Sequence, residues 1–71
     1  MDLTIEVETE LDDRWLAEIV TMPGVMAYGT TQAEAITQVQ ALALRVMADR
    51  LEHGEMQGMV SVLFQAAEGI K

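Results

Sequence analysis

The sequence predicts an α+β fold in which a three-stranded antiparallel sheet is followed by one long helix packed on it and then a fourth strand (β-β-β-α-β). Short runs of alternating apolar and polar residues, separated by turn-forming residues, occupy the first 28 positions and predict the strands. From Gln32 to about Glu52 the chain has no glycine or proline and is rich in alanine and leucine, which predicts a helix of about 20 residues. This order favours a layer of sheet covered by a layer of helix.

The first two strands are predicted to form a hairpin. Alternation from Leu3 to Glu8 indicates a strand with one buried and one solvated face. The polar run 9–13 then breaks the pattern, and a more apolar strand begins at Trp15 and continues through Ile19. Two strands this close in sequence are expected to pair.

A turn and a short third strand come next. Pro23 presets the backbone of a turn and Gly24 accepts the positive φ angle of the following position. Residues 25–28, Val25 to Tyr28, are the predicted third strand, and Gly29 is expected to end it.

The helix has recognisable start and stop signals. Thr31 and Glu34 form a capping box, in which the threonine hydroxyl accepts from the Glu34 amide while the Glu34 carboxylate reaches back. His53 and Gly54 are expected to end the helix. Alternation around Val60, Val62 and Phe64 predicts the fourth strand, followed by a frayed tail over 65–71 in a single domain of residues 1–71.

The helix carries two apolar surfaces. At about 100° per residue, one surface is expected to face the sheet, and it consists of Ala35, Ile36, Val39, Ala43, Val46 and Met47. A second apolar strip points away from it, and we call it the outer strip: Ala41, Leu44, Ala48 and Leu51, with Glu52 beside them. We expect the outer strip to contact a partner or a second copy; the alternatives are that the sheet curls around the helix and covers it, or that a few exposed leucines have no role in binding. Arg50 falls on the sheet-facing side, where its stem can lie on apolar surface while its charge reaches solvent.

Composition favours association and disfavours several classes of function. A 71-residue chain without cysteine and with one histidine lacks disulfides and a structural zinc site, so a homodimer or larger assembly is the expected source of extra burial. A formal charge of −8 opposes direct nucleic-acid and membrane binding and suits either solubility or an encounter with a basic protein. Without an apolar stretch of membrane-spanning length or a signal peptide, a cytoplasmic protein is expected.

Candidate chemistry is sparse. His53 is explained by its place at a helix terminus, and Asp12 with Asp13 supplies too few oxygen ligands for a hard cation. Glu18 lies among apolar neighbours, and a salt bridge to Arg14 or a place at the sheet edge accounts for it. No catalytic triad, phosphate loop or metal cluster can be assembled, so we expect no enzyme activity, no cofactor and no metal.

The order of these motifs resembles the HicB-like family of small antitoxin-type domains. The resemblance rests on Trp15-Leu16-Ala17-Glu18-Ile19, Pro23-Gly24, Tyr28-Gly29-Thr30-Thr31 and Glu34-Ala35. It implies a trimmed ribonuclease-H-like sheet and a stoichiometric inhibitor that occludes the active site of a small basic HicA-like ribonuclease toxin. The acids at 6, 8 and 18 and those of the helix at 34, 49 and 52 would then imitate phosphates.

Typical HicB-like proteins also carry a C-terminal DNA-binding module, and only seven residues follow Phe64 here, so DNA binding is not expected of this chain. The competing hypothesis is a stand-alone homo-oligomeric domain with no toxin partner, whose outer strip closes a dimer. An enzyme is the third and least favoured class.

Overall fold

The computed structural model describes residues 1–67 and confirms the predicted element order. Its elements are β1 (Asp2–Thr9), β2 (Trp15–Ile19), β3 (Met26–Gly29), α1 (Gln32–Glu52) and β4 (Leu63–Ala66). Helix α1 packs on one face of the sheet, mainly over β3 and β2. Within the described part of the chain, no helix combines the length and the apolarity needed to cross a membrane.

The four strands form one mixed sheet in the order β3-β2-β1-β4. Strands β1 to β3 pair antiparallel as predicted, with Ile5 opposite Ile19 and Ala17 opposite Ala27. Strand β4 instead pairs parallel to β1. The reason is the crossover: α1 carries the chain back across the face from one sheet edge to the other, so β4 runs in the same direction as β3 and β1.

The boundaries of two predicted strands are corrected. Strand β3 starts at Met26 instead of Val25 and includes Gly29, which was expected to end it, and β4 starts at Leu63 and continues through Ala66. The frayed tail predicted from Gln65 is therefore wrong at its first two residues, since Gln65 lies in β4 and the Ala67 amide donates to the Ile5 carbonyl at 2.9 Å. Residues 68–71 of that predicted tail lie outside the described residues.

A single core lies between the sheet and α1. Every fourth helix residue from 35 to 47 is buried, and these residues meet the inward side chains of β1 and β2. The buried set is Leu3, Ile5, Ala17, Ile19, Met22, Val25, Ala35, Val39, Ala43 and Met47. Two of the four buried helix residues are alanine, which lets the helix backbone approach the strands closely. This matches the predicted inner face of the helix.

The loops confirm the predicted turn chemistry. The Val25 amide donates to the Met22 carbonyl at 3.0 Å, and Gly24 between them has φ +86°, as a turn with Pro23 at its second position requires. Because Met22 and Val25 are both buried, this turn also closes one end of the core.

Candidate protein interfaces

The outer strip lies on the side of α1 away from the sheet. Leu44 is 50% exposed and Leu51 is 41% exposed, while Ala48 and Glu52 are exposed and Ala41 is half-buried. The sheet therefore does not curl around the helix to cover it. A single chain leaves these leucines in water, which is the property expected of a contact surface.

Four of the sequence-motif residues meet where β3 turns into α1. Trp15 and Gly29 are opposite each other on paired strands, and the Glu34 amide donates to the Thr31 hydroxyl at 3.0 Å. The Glu34 carboxylate accepts from the Thr30 amide at 2.8 Å, so it reaches one residue further back than the helix cap itself. Pro23 and Gly24 lie apart from this group in the β2–β3 turn. These motif residues shape the fold.

The face of the sheet opposite α1, which we call the open face, is acidic on one half and apolar on the other. On β1 the outward positions include Glu6 and Glu8, and Glu6 lies directly opposite Glu18 of β2. With Leu16 these carboxylates line a shallow depression of about 90 Å³. The neighbouring apolar side chains are Val20 (51% exposed), Met26 (41%) and Tyr28 (46%). Sequence periodicity gives these outward positions, but only the strand register shows that they adjoin.

Arg14 does not form the expected salt bridge with Glu18. Its Nε atom donates to the Asp12 carboxylate at 2.7 Å, and its guanidinium lies 4.3 Å from the centre of the Tyr28 ring. Glu18 is not at a sheet edge either, because β2 is an interior strand. Sequence reasoning missed Asp12 as the partner of Arg14, although the two residues are only two positions apart in the same turn. Asp13, between them, has a left-handed φ of +67° and completes the turn.

The acids that were expected to form one phosphate-like surface lie on two opposite layers. The outward side of the helix carries Glu34, Asp49 and Glu52 together with one cation, Arg45, since Arg50 lies on the sheet-facing side. The strands of the open face carry Asp2, Glu6, Glu8 and Glu18 and no lysine or arginine. The one guanidinium placed on this face by the described residues is that of Arg14, in the turn before β2, which is paired with Asp12 and lies over the Tyr28 ring. A flat partner surface can contact one of these layers but not both. The open face is the more strongly acidic.

The residues that the sequence offered for chemistry make local contacts in the structure. The His53 Nδ1 atom lies 2.7 Å from the Asp49 carbonyl oxygen and 3.3 Å from its carboxylate, which places the imidazole at the helix end as predicted. Asp12 is engaged by Arg14. Over residues 1–67 no three histidine or carboxylate side chains come together as a metal site would need. The candidate sites are surfaces for contact.

Comparisons with protein-family models, with curated proteins and with solved structures found no match to this chain. The family resemblance therefore rests on the sequence motifs alone.

Proposed function

We propose that this chain is a HicB-like antitoxin-type module that neutralises a small basic HicA-like ribonuclease by covering its active site. The observation that carries this proposal is the open face, where carboxylates adjoin exposed apolar side chains. The chain acts by stoichiometric binding and has no catalytic role of its own, and its place is the cytoplasm, where such a toxin would act.

Electrostatics favours a cationic partner on the open face. Glu6 and Glu18 are cross-strand neighbours of like charge, an arrangement that destabilises an isolated sheet. A lysine or arginine placed between them relieves this repulsion. The apolar half, where Val20 and Met26 are exposed beside the Tyr28 ring that the Arg14 guanidinium covers, supplies the desolvated contact that a charged rim alone does not provide.

The outer strip suits a second copy of the chain. The outward side of the helix offsets part of the charge of its three carboxylates with the Arg45 guanidinium, so two copies meet there with less repulsion than two open faces would. Exposed leucines at 44 and 51 alternate with small alanines at 41 and 48, which allow close approach of a second helix. The same observation favours the second candidate function, a stand-alone homo-oligomeric domain with no toxin partner and no activity.

The association rate with a basic toxin tests the proposal. The probe is a small basic HicA-like ribonuclease with its catalytic histidine replaced, and a search for such a gene beside the gene of this chain supplies the candidate. Raising ionic strength from about 0.05 to 0.5 M shortens the Debye length from about 14 to 4 Å, so the on-rate is expected to fall steeply while the off-rate changes less. A tight complex with a salt-insensitive on-rate would contradict the charge argument.

Matched variants locate the surface. Replacing Glu6 or Glu18, one at a time, by glutamine is expected to lower the on-rate and flatten its salt dependence. Glu52→Gln, on the opposite layer, removes a comparable exposed charge and is expected to have little effect. Equal effects of both changes would remove the open face from the proposal. If no basic nuclease binds, the homo-oligomer function remains.

A further inference from the structure

A methionine-lined groove lies where β1 begins and α1 ends. Four of the six methionines of the chain line it, and the groove encloses about 300 Å³. Leu3, Met22 and Met47 are buried at its floor, while Met1 and Met56 are more exposed. This volume is at the lower end of the range of roughly 300 to 1,000 Å³ for small-molecule sites. Methionine side chains are flexible and polarisable, so such walls adapt to an aliphatic ligand.

Arg50 places one cation at this apolar groove. It follows Val39, Ala43 and Met47 along the sheet-facing side of α1, where the preceding positions are buried. Within residues 1–67 its guanidinium forms no ion pair and no hydrogen bond, whereas Arg14 is paired with Asp12. A favourable interaction with the helix dipole accounts for a basic residue in the last turn, but not for its place on the core-facing side.

The helix end does not use this guanidinium either. The backbone carbonyl of Asp49 accepts from the His53 amide, that of Leu51 from Gly54, and that of Arg50 itself from Glu55 at 2.8 Å. The donors of Arg50 are therefore available to a ligand.

We propose that the groove binds a small aliphatic monocarboxylate, with the alkyl chain among the methionines and the carboxylate on Arg50. The planar guanidinium matches a carboxylate with two parallel hydrogen bonds. Asp2 also lines the groove, but it alternates with the inward Leu3 on β1 and forms no ion pair with Arg50. The net charge of −8 disfavours multiply charged anions such as phosphates and leaves a single carboxylate as the best match.

Titration of the full chain with sodium hexanoate, octanoate and decanoate tests this inference, with amide chemical shifts as the readout. Each methylene that enters the groove is expected to tighten binding about fourfold until the groove is filled. The shifts are expected at residues 1–3, 21–22, 47–50 and 56. The neutral analogue 1-octanol is expected to bind at least tenfold more weakly than octanoate, because it lacks the charge-assisted hydrogen bonds.

Two arginine variants separate this site from a general charge effect. Arg50→Gln is expected to weaken octanoate binding about tenfold or more, while Arg45→Gln, elsewhere on the same helix, leaves it unchanged. Both positions are exposed, so neither change threatens the fold, and circular dichroism verifies this. The inference is overturned if octanoate shows no saturable binding at millimolar concentration, if octanol binds equally well, or if both variants weaken binding equally. None of these outcomes depends on a toxin partner.

Discussion

Replacing Gly29 by alanine is expected to disrupt the contact between the sheet and the start of α1. A Cβ atom at this position would lie 2.5 Å from the Ala35 backbone nitrogen and 3.0 Å from both the carbonyl carbon and the Cβ of Glu34. The obstacle is the helix backbone, so no side-chain rotation relieves it. The first turn of α1 would have to move by about 1 Å to restore ordinary contact.

The size of the effect follows from what holds the helix there. Ala35 and Val39 are fully buried, and Gly29 itself is paired with Trp15, so neither the helix nor the strand is free to move. Overpacking of this kind lowers the free energy of unfolding by about 1 to 3 kcal/mol. We expect a value at the upper end of this range here, because the contact is with the helix backbone. The lower chain entropy of alanine offsets about 0.5 kcal/mol. The free energy of unfolding is therefore expected to fall by about 2.5 kcal/mol. This is a large share of the roughly 4 to 11 kcal/mol of total unfolding free energy expected for a chain of this size.

Thermal unfolding followed by circular dichroism measures this loss, with an expected fall in Tm of about 10 to 20 °C. Gly24→Ala is the matched control, because nothing lies within 4 Å of a Cβ atom there and the only cost is the left-handed φ of +86°. That cost is about 1 kcal/mol. The steric argument fails if the two variants unfold at the same temperature.

The remaining predictions concern the cap, the outer strip and activity. Thr31→Ala removes the hydroxyl that accepts from the Glu34 amide and is expected to cost about 1 kcal/mol in urea unfolding, with no change in assembly size. The chain is expected to sediment at more than 7.8 kDa at micromolar concentration, and Leu44→Glu to shift it toward monomers because it buries a charge at the contact. A monomeric wild type, or a Leu44→Glu variant of unchanged mass, would refute the assignment of the outer strip. The chain alone is expected not to bind the DNA upstream of its own gene in a gel-shift assay at physiological salt, and not to cleave RNA. Either activity would contradict the proposed function.

Much of the fold can be predicted from local physical rules. The alternation of β1, the turn at Pro23 and Gly24, and the helix from Gln32 to Glu52 each depend on residues within one turn or one face. The sequence predicts only part of the role of Gly29. A glycine before a helix start suggests a strand end, but the close approach of the Ala35 backbone depends on how α1 folds back over β3.

The direction of β4 and the grouping of the acids are not local properties. Sequence alternation at 59–64 gives a strand but neither its partner nor its register, and the observed pairing begins three residues later than Val60. Likewise, the sequence shows glutamates on strands and on the helix but not that the two layers carry them on opposite sides. Arg14 pairs with Asp12 and not with Glu18. Asp12 is only two residues away in the same turn, so this ion pair costs little chain entropy.

The opposite placement of the two surfaces fixes the architecture of a complex in which both proposals hold. If the outer strips of two copies pair around a two-fold axis, each open face points away from the axis. Each face then remains free to bind one toxin, and the complex contains two copies of this chain and two toxins. Mass measurement of the complex separates this arrangement from the alternative, in which the toxin itself occupies the outer strip. In that case toxin binding would dissociate the homodimer, and Leu44→Glu, rather than the change at Glu18, would abolish toxin binding.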